Sequence, residues 1–117
     1  GDAVLLRTGW AKFMYTDPVQ YLKEAPGLGV EGASWLRKKE VCAVACDNWG
    51  MEVDPHEDKD EYLPVHKELI RQGGIYILEQ LDMEELARDM VYEFLFIVAP
   101  LGIQGGSGSP VNPLAIA

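Results

Sequence analysis

The run Val41-Cys42-Ala43-Val44-Ala45-Cys46 decides the fold. It is short and apolar throughout, without the alternation of a half-exposed strand. Such a strand is covered on both faces, as in sheets flanked by helices. Upstream, Glu31 to Lys39 reads as a helix, with Lys38 and Lys39 in its last turn, where the helix dipole favours positive charge. Asp17-Pro18 opens an earlier, shorter helix, Asp as N-cap and Pro at the first helical position. That helix ends before Pro26-Gly27. Ala3 to Arg7 is a strand, and Arg7-Thr8-Gly9-Trp10 turns the chain.

Downstream, a helix starts near Pro64 and stops at Gly73-Gly74, and Ile75 to Leu81 reads as a strand. Asp82, with Glu85 three residues on, caps another helix. Met83, Leu86, Ala87 and Met90 form its buried stripe. Glu93 to Ala99 is a strand, and the Gly-rich turn from Gly105 to Pro110 leads to a last strand at Leu114 to Ala117. Helices and strands alternate with no repeat and no linker. The expectation is one α/β domain over 1–117, a mixed sheet with flanking helices.

Composition narrows the function. Ten basic and 19 acidic residues give a net charge of −9. That sign disfavours nucleic acid and anionic membranes, which need clustered Lys or Arg. No apolar run approaches the roughly 20 residues that span a bilayer, and no signal peptide precedes the first strand. A soluble, cytoplasmic chain is expected. Cys42 and Cys46 on one strand lie too far apart for a disulfide and miss the C-x-x-C spacing of zinc or redox sites. They read as buried free thiols.

Two residues do not fit a bland core. His66 shares a helix face with Leu69, Ile70 and Gly73. It reads as a core histidine or as a ligand, since imidazole serves as either. Glu79 alternates with Ile75, Ile77 and Leu81, which sets a carboxylate among aliphatics. There it must be paired, protonated or metal-bound, unless the strand ends early and the side chain reaches water or an Arg. Only Gly73-Gly74 separates the two elements, so His66 and Glu79 can meet at one pocket. Imidazole plus carboxylate suits zinc or manganese, but two ligands are too few for a site. The acidic stretch from Glu52 to Glu61 lacks the EF-hand pattern and reads as a solvated loop, with His56 at the surface. Ser107 and Ser109 have no G-x-S-x-G context.

Several segments together resemble the second half of cyclase-family hydrolases, a family that includes bacterial kynurenine formamidase and isatin hydrolase. They are residues 1–10 (Gly-Asp-Ala-Val-Leu-Leu-Arg-Thr-Gly-Trp), 64–70 (Pro-Val-His-Lys-Glu-Leu-Ile), 74–81 (Gly-Ile-Tyr-Ile-Leu-Glu-Gln-Leu), Glu84-Glu85-Leu86, and the turn 105–110. The resemblance implies a metal-dependent hydrolase of formamides or cyclic amides, with the swivelling β/β/α fold. It implies a bound divalent metal (Zn or Mn), a small-molecule amide substrate and a homo-oligomer. It places His66 and Glu79 at the second metal of binuclear members, with Trp10 and Gly106 as weaker candidates for the pocket wall. The family's His-x-Gly-Thr-His-x-Asp cluster is absent, because His56 and His66 are the only histidines. The chain is therefore expected to be a C-terminal portion, inactive until paired with the missing N-terminal half. Gln80 also departs from the family, which commonly has Asn there. The alternatives are a non-enzymatic binding or assembly module, or an inert fragment of the same fold.

Overall fold

In the computed structural model, which describes all 117 residues, β2 (Ala43–Cys46) is buried at every position. It lies between two parallel neighbours, β1 (Ala3–Leu6) and β3 (Tyr76–Leu78), so the sheet order is β1-β2-β3. Val4 pairs with Val44 and Leu6 with Cys46 on one side, and Val44 pairs with Ile77 on the other. Three helices connect β1 to β2: α1 (Lys12–Thr16), α2 (Pro18–Lys23) and α3 (Val30–Lys38). Between β2 and β3 comes α4 (Pro64–His66), which passes directly into a π-helix over Lys67–Gln72.

In a parallel sheet each connection crosses over and packs its helix back on the sheet, and here α3, α4 and the π-helix share one face. The core follows from that arrangement. Ala33 and Leu36 of α3, Val65 of α4 and Leu69 of the π-helix pack with Val44 and Cys46, together with Met51 and Ile75. Arg37 Nε donates to Glu68 Oε1 at 2.8 Å and ties α3 to the π-helix. Asp17 caps α2 as expected, accepting from the Gln20 backbone N–H at 3.0 Å.

The structure corrects several expectations. The segment after His66 winds as a π-helix, and the inward face expected for it holds only in part: Leu69 is buried, but Ile70 is 52% exposed. Cys42 is also exposed, so only Cys46 is a buried thiol. The strand expected over Ile75 to Leu81 is regular only to Leu78. Glu79 and Gln80 loop out, Gln80 with a left-handed φ of 59°, before the Leu81 N–H rejoins the Cys46 carbonyl at 3.0 Å.

Contacts gather the chain into two units, Gly1–Met83 and Glu84–Ala117. The second unit contains α5 (Glu84–Arg88) and an antiparallel pair, β4 (Leu95–Ile97) with β5 (Leu114–Ile116). The strands thus form two small sheets, one parallel and one antiparallel, rather than the single mixed sheet expected. α5 is shorter than its apolar stripe suggested. Met90 takes a left-handed φ of 53°, and its N–H bonds the Ala87 carbonyl while the Val91 N–H bonds Leu86, closing the helix with a Schellman motif. Met90 is 72% exposed, and α5 buries no residue.

Candidate metal-ligand pair at the carboxyl edge of the sheet

In open parallel sheets, side chains that bind ligands gather outside the carboxyl ends of the strands. Here the three loops leaving β1, β2 and β3 supply the turn at Thr8-Gly9, the segment Asp47 to Glu52, and Glu79. Asp47 fastens the first two. Its Oδ1 accepts from the Thr8 N–H at 2.9 Å and from Thr8 Oγ1 at 2.6 Å, and its Oδ2 accepts from the Gly9 N–H at 2.7 Å. Though 1% exposed, the carboxylate is therefore well supplied with donors.

Beyond Asp47 the chain pairs with the segment after α2. Backbone hydrogen bonds link Ala25 with Asp54 in both directions, Leu28 N–H to the Met51 carbonyl, and Val53 N–H to the Leu28 carbonyl. Gly27 sits inside this ladder, where an added Cβ would overlap the Glu52 backbone carbonyl. The ladder fixes Glu52, whose side chain turns inward. Glu52 Oε1 accepts from the His66 backbone N–H at 2.8 Å and lies 2.9 Å from His66 Nδ1. Oε2 is buried without a hydrogen-bond partner, 3.7 Å from His56 Nδ1. His56 is itself half-buried, its Nδ1 3.2 Å from the Val53 carbonyl, and not the surface residue expected.

The other ring nitrogen, His66 Nε2, faces Glu79 Oε1 at 3.6 Å. Glu79 Oε1 also accepts from the Met51 N–H at 2.8 Å. The strand ends at Leu78 and Glu79 is exposed, so its carboxylate reaches water rather than lying among the aliphatics of its strand, and it is not salt-bridged to an arginine. The loop-out at 79–80 re-aims it toward His66, as bulges beside functional sites commonly do. Two ligands on a tetrahedral zinc, each about 2.0–2.1 Å from the ion, lie roughly 3.3 Å apart. The observed spacing is close to that, and the N/O donor pair suits zinc or manganese. No group of three or more His, Cys, Asp or Glu side chains is arranged to hold an ion. The pair thus fits a metal as two members of a larger ligand set.

A depression of about 480 Å³ opens among the segments that leave β1, precede α3 and follow β2; neither His66 nor Glu79 lines it. Leu5, Leu6, Leu28, Cys46, Met51 and Val53 contribute its apolar wall. Burial pushes the Cys46 thiol up to about 12, so it is an inert wall group. Trp10 does not line the depression. Its Nε1 donates to the Tyr21 carbonyl at 3.2 Å and its ring meets Phe13 edge-on. Gly106 belongs to the second unit, where its N–H bonds the Ile103 carbonyl at 3.0 Å. Ser109 serves its turn, its Oγ accepting from the Leu101 N–H.

Sequence reasoning singled out His66 and Glu79 but missed Glu52, grouping it with the exposed acids of 52–61. The available signal was local: Glu52 alone in that stretch stands between two apolar residues, Met51 and Val53.

Residues 1–53, a little under half of the chain, are similar to the family model described as putative cyclase. The matched segment includes Trp10, Asp47 and Glu52 and ends before His66 and Glu79. No curated protein and no solved structure matches the chain. No helix is long and apolar enough to cross a membrane.

Proposed function

We propose that this chain is part of a metal-dependent hydrolase acting on formamide or cyclic amide C–N bonds. His66 and Glu79 supply two ligands to a zinc or manganese ion, and the rest of the ligand set comes from groups that this chain does not bring together. The observation that carries the reading is the 3.6 Å approach of His66 Nε2 to Glu79 Oε1. A cation held there would lower the pKa of a bound water and polarise the substrate carbonyl. The chain's own part is to orient the two ligands, through the Met51 N–H on Glu79 and the Glu52 carboxylate on His66. The nearest formed depression, lined by Leu28, Cys46, Met51 and Val53, reaches the site only through Met51, whose N–H bonds Glu79.

Two measurements test this. Added Mn2+ is expected to broaden the NMR signals of residues 51, 66 and 79 in the full chain, and not in His66→Ala. Broadening that ignores both ligands sinks the assignment. On N-formylkynurenine or isatin with Mn2+ or Zn2+, the chain alone is expected to give no turnover. Activity is expected only when a segment carrying the His-x-Gly-Thr-His-x-Asp cluster is added.

One observation favours a second reading. In the second unit Leu95, Ile97, Leu114 and Ile116 of the two strands are exposed. A two-stranded sheet is marginal in water by itself, and both of its edges are open to pairing. A non-enzymatic module that assembles with a second copy of the chain would use that surface. Sedimentation separates the readings: an assembly module self-associates without metal and binds none, whereas the hydrolase reading requires the His66–Glu79 pair to take up the ion.

A further inference from the structure

We infer that Glu52 is a positioning residue: it holds the His66 imidazole as the Nδ1–H tautomer, with the Nε2 lone pair turned toward Glu79. The role of that lone pair rests on the metal-ligand reading above, but the tautomer does not. An ionised carboxylate can only accept hydrogen bonds, so the 2.9 Å contact with Glu52 Oε1 requires the proton on His66 Nδ1. The same oxygen takes the His66 backbone N–H at 2.8 Å. One atom thereby holds both the backbone N–H of the residue and the near nitrogen of its ring, leaving the imidazole little freedom to flip.

Burial supports a dedicated role. Glu52 is 4% exposed, with Oε2 unpaired, and such a carboxylate has no reason to lie inside unless it acts on what it touches. His56 helps to confine it. A carbonyl can only accept, so the contact with Val53 places a proton on His56 Nδ1, and that N–H edge faces Glu52 Oε2 from 3.7 Å. Metal-bound histidines commonly donate their other ring N–H to such a carboxylate, which fixes the tautomer and raises the basicity of the ligand nitrogen.

The test is the tautomer itself, read from long-range 1H–15N correlations of the full chain without metal, at a pH well above the ordinary histidine range. A neutral imidazole free in water favours Nε2–H. The expected result for the native chain is Nδ1–H at His66. Glu52→Ala is expected to switch the ring to Nε2–H, whereas Glu52→Gln, whose amide oxygen still accepts, retains Nδ1–H. An Nε2–H ring in the native chain overturns the inference without any variant, and so does an unchanged tautomer in a folded Glu52→Ala chain. Zn2+ titration then separates the two proposals. If His66 binds zinc, Glu52→Ala should weaken the affinity about 10- to 100-fold. If the native chain shows the Nδ1–H ring but takes up no zinc even when the segment carrying the histidine cluster is added, the metal reading fails and the positioning stands.

Discussion

Removing the Asp47 carboxylate should loosen the edge of the sheet on which every candidate side chain sits. Three donors converge on it at 2.9, 2.6 and 2.7 Å, from Thr8 and Gly9. Hydrogen bonds to a charged acceptor contribute about 1.5–3 kcal/mol each. The full sum overstates the loss, because Thr8 is exposed and its donors regain water when the carboxylate is gone. A cost of about 2–4 kcal/mol is expected for Asp47→Ala, a large part of the roughly 5–15 kcal/mol that holds a small domain together. Asp47→Asn keeps the shape but can point an N–H at the Gly9 N–H, so it should lose about 1–2 kcal/mol. Urea unfolding followed by tryptophan fluorescence reads both values, because Trp10 follows the turn directly. A double-mutant cycle with Thr8→Ala should show a coupling of at least about 0.5 kcal/mol. Unfolding midpoints of both Asp47 variants that match the native chain would refute the argument.

Alkylation should distinguish the thiols. Cys42 is exposed and should label in the native chain, whereas Cys46, pushed up to about 12 by burial, should label only after denaturation. Because unfolded Cys46 ionises near its ordinary value and the folded residue does not, stability should fall as pH rises above about 9, by at most about 1.4 kcal/mol per pH unit from this group. A denaturation series from pH 8 to 11 checks the slope. The hydrogen bond from Arg37 holds the Glu68 carboxyl below its usual range. That contribution is present above the unfolded carboxylate range and is lost as pH falls through the folded value. Arg37→Ala should therefore cost about 0.5–1 kcal/mol at neutral pH and almost nothing in acid, as measured by paired urea melts. Gln80 carries a left-handed φ of 59°, a conformation that disfavours most side chains and that Asn tolerates better. Gln80→Asn is expected to raise stability by about 0.5–1 kcal/mol, and a lowered melting temperature would contradict it.

The legible parts of this fold were those with local physical signatures. The unbroken apolar run announced β2 as a strand covered on both sides, and Asp17-Pro18 announced α2 through capping chemistry. The meeting of His66 and Glu79 could be anticipated from the short Gly73-Gly74 return between their elements. The π-helix could not be anticipated, because widening one turn leaves no mark on composition, and with it the exposure of Ile70, expected inward beside Leu69, stayed hidden. The loop-out of Glu79 was equally hidden: it depends on Gln80 adopting a left-handed conformation that its side chain does not announce. Glu52 was concealed by its company. An inward carboxylate at the head of an acidic stretch looks like the rest until the pairing of 25–28 with 51–54 turns it around.

Gly27 gives that pairing a reach beyond its own hydrogen bonds. Its bare α-carbon lets two backbones close up, and the closure determines where the Glu52 carboxylate points and hence how the distant imidazole is held. A methyl group there would act as a wedge, shifting the hinge rather than the pincers. The proposed site could then be disabled from a position with no polar atom in its side chain, and an alanine screen confined to ionisable residues would never find it.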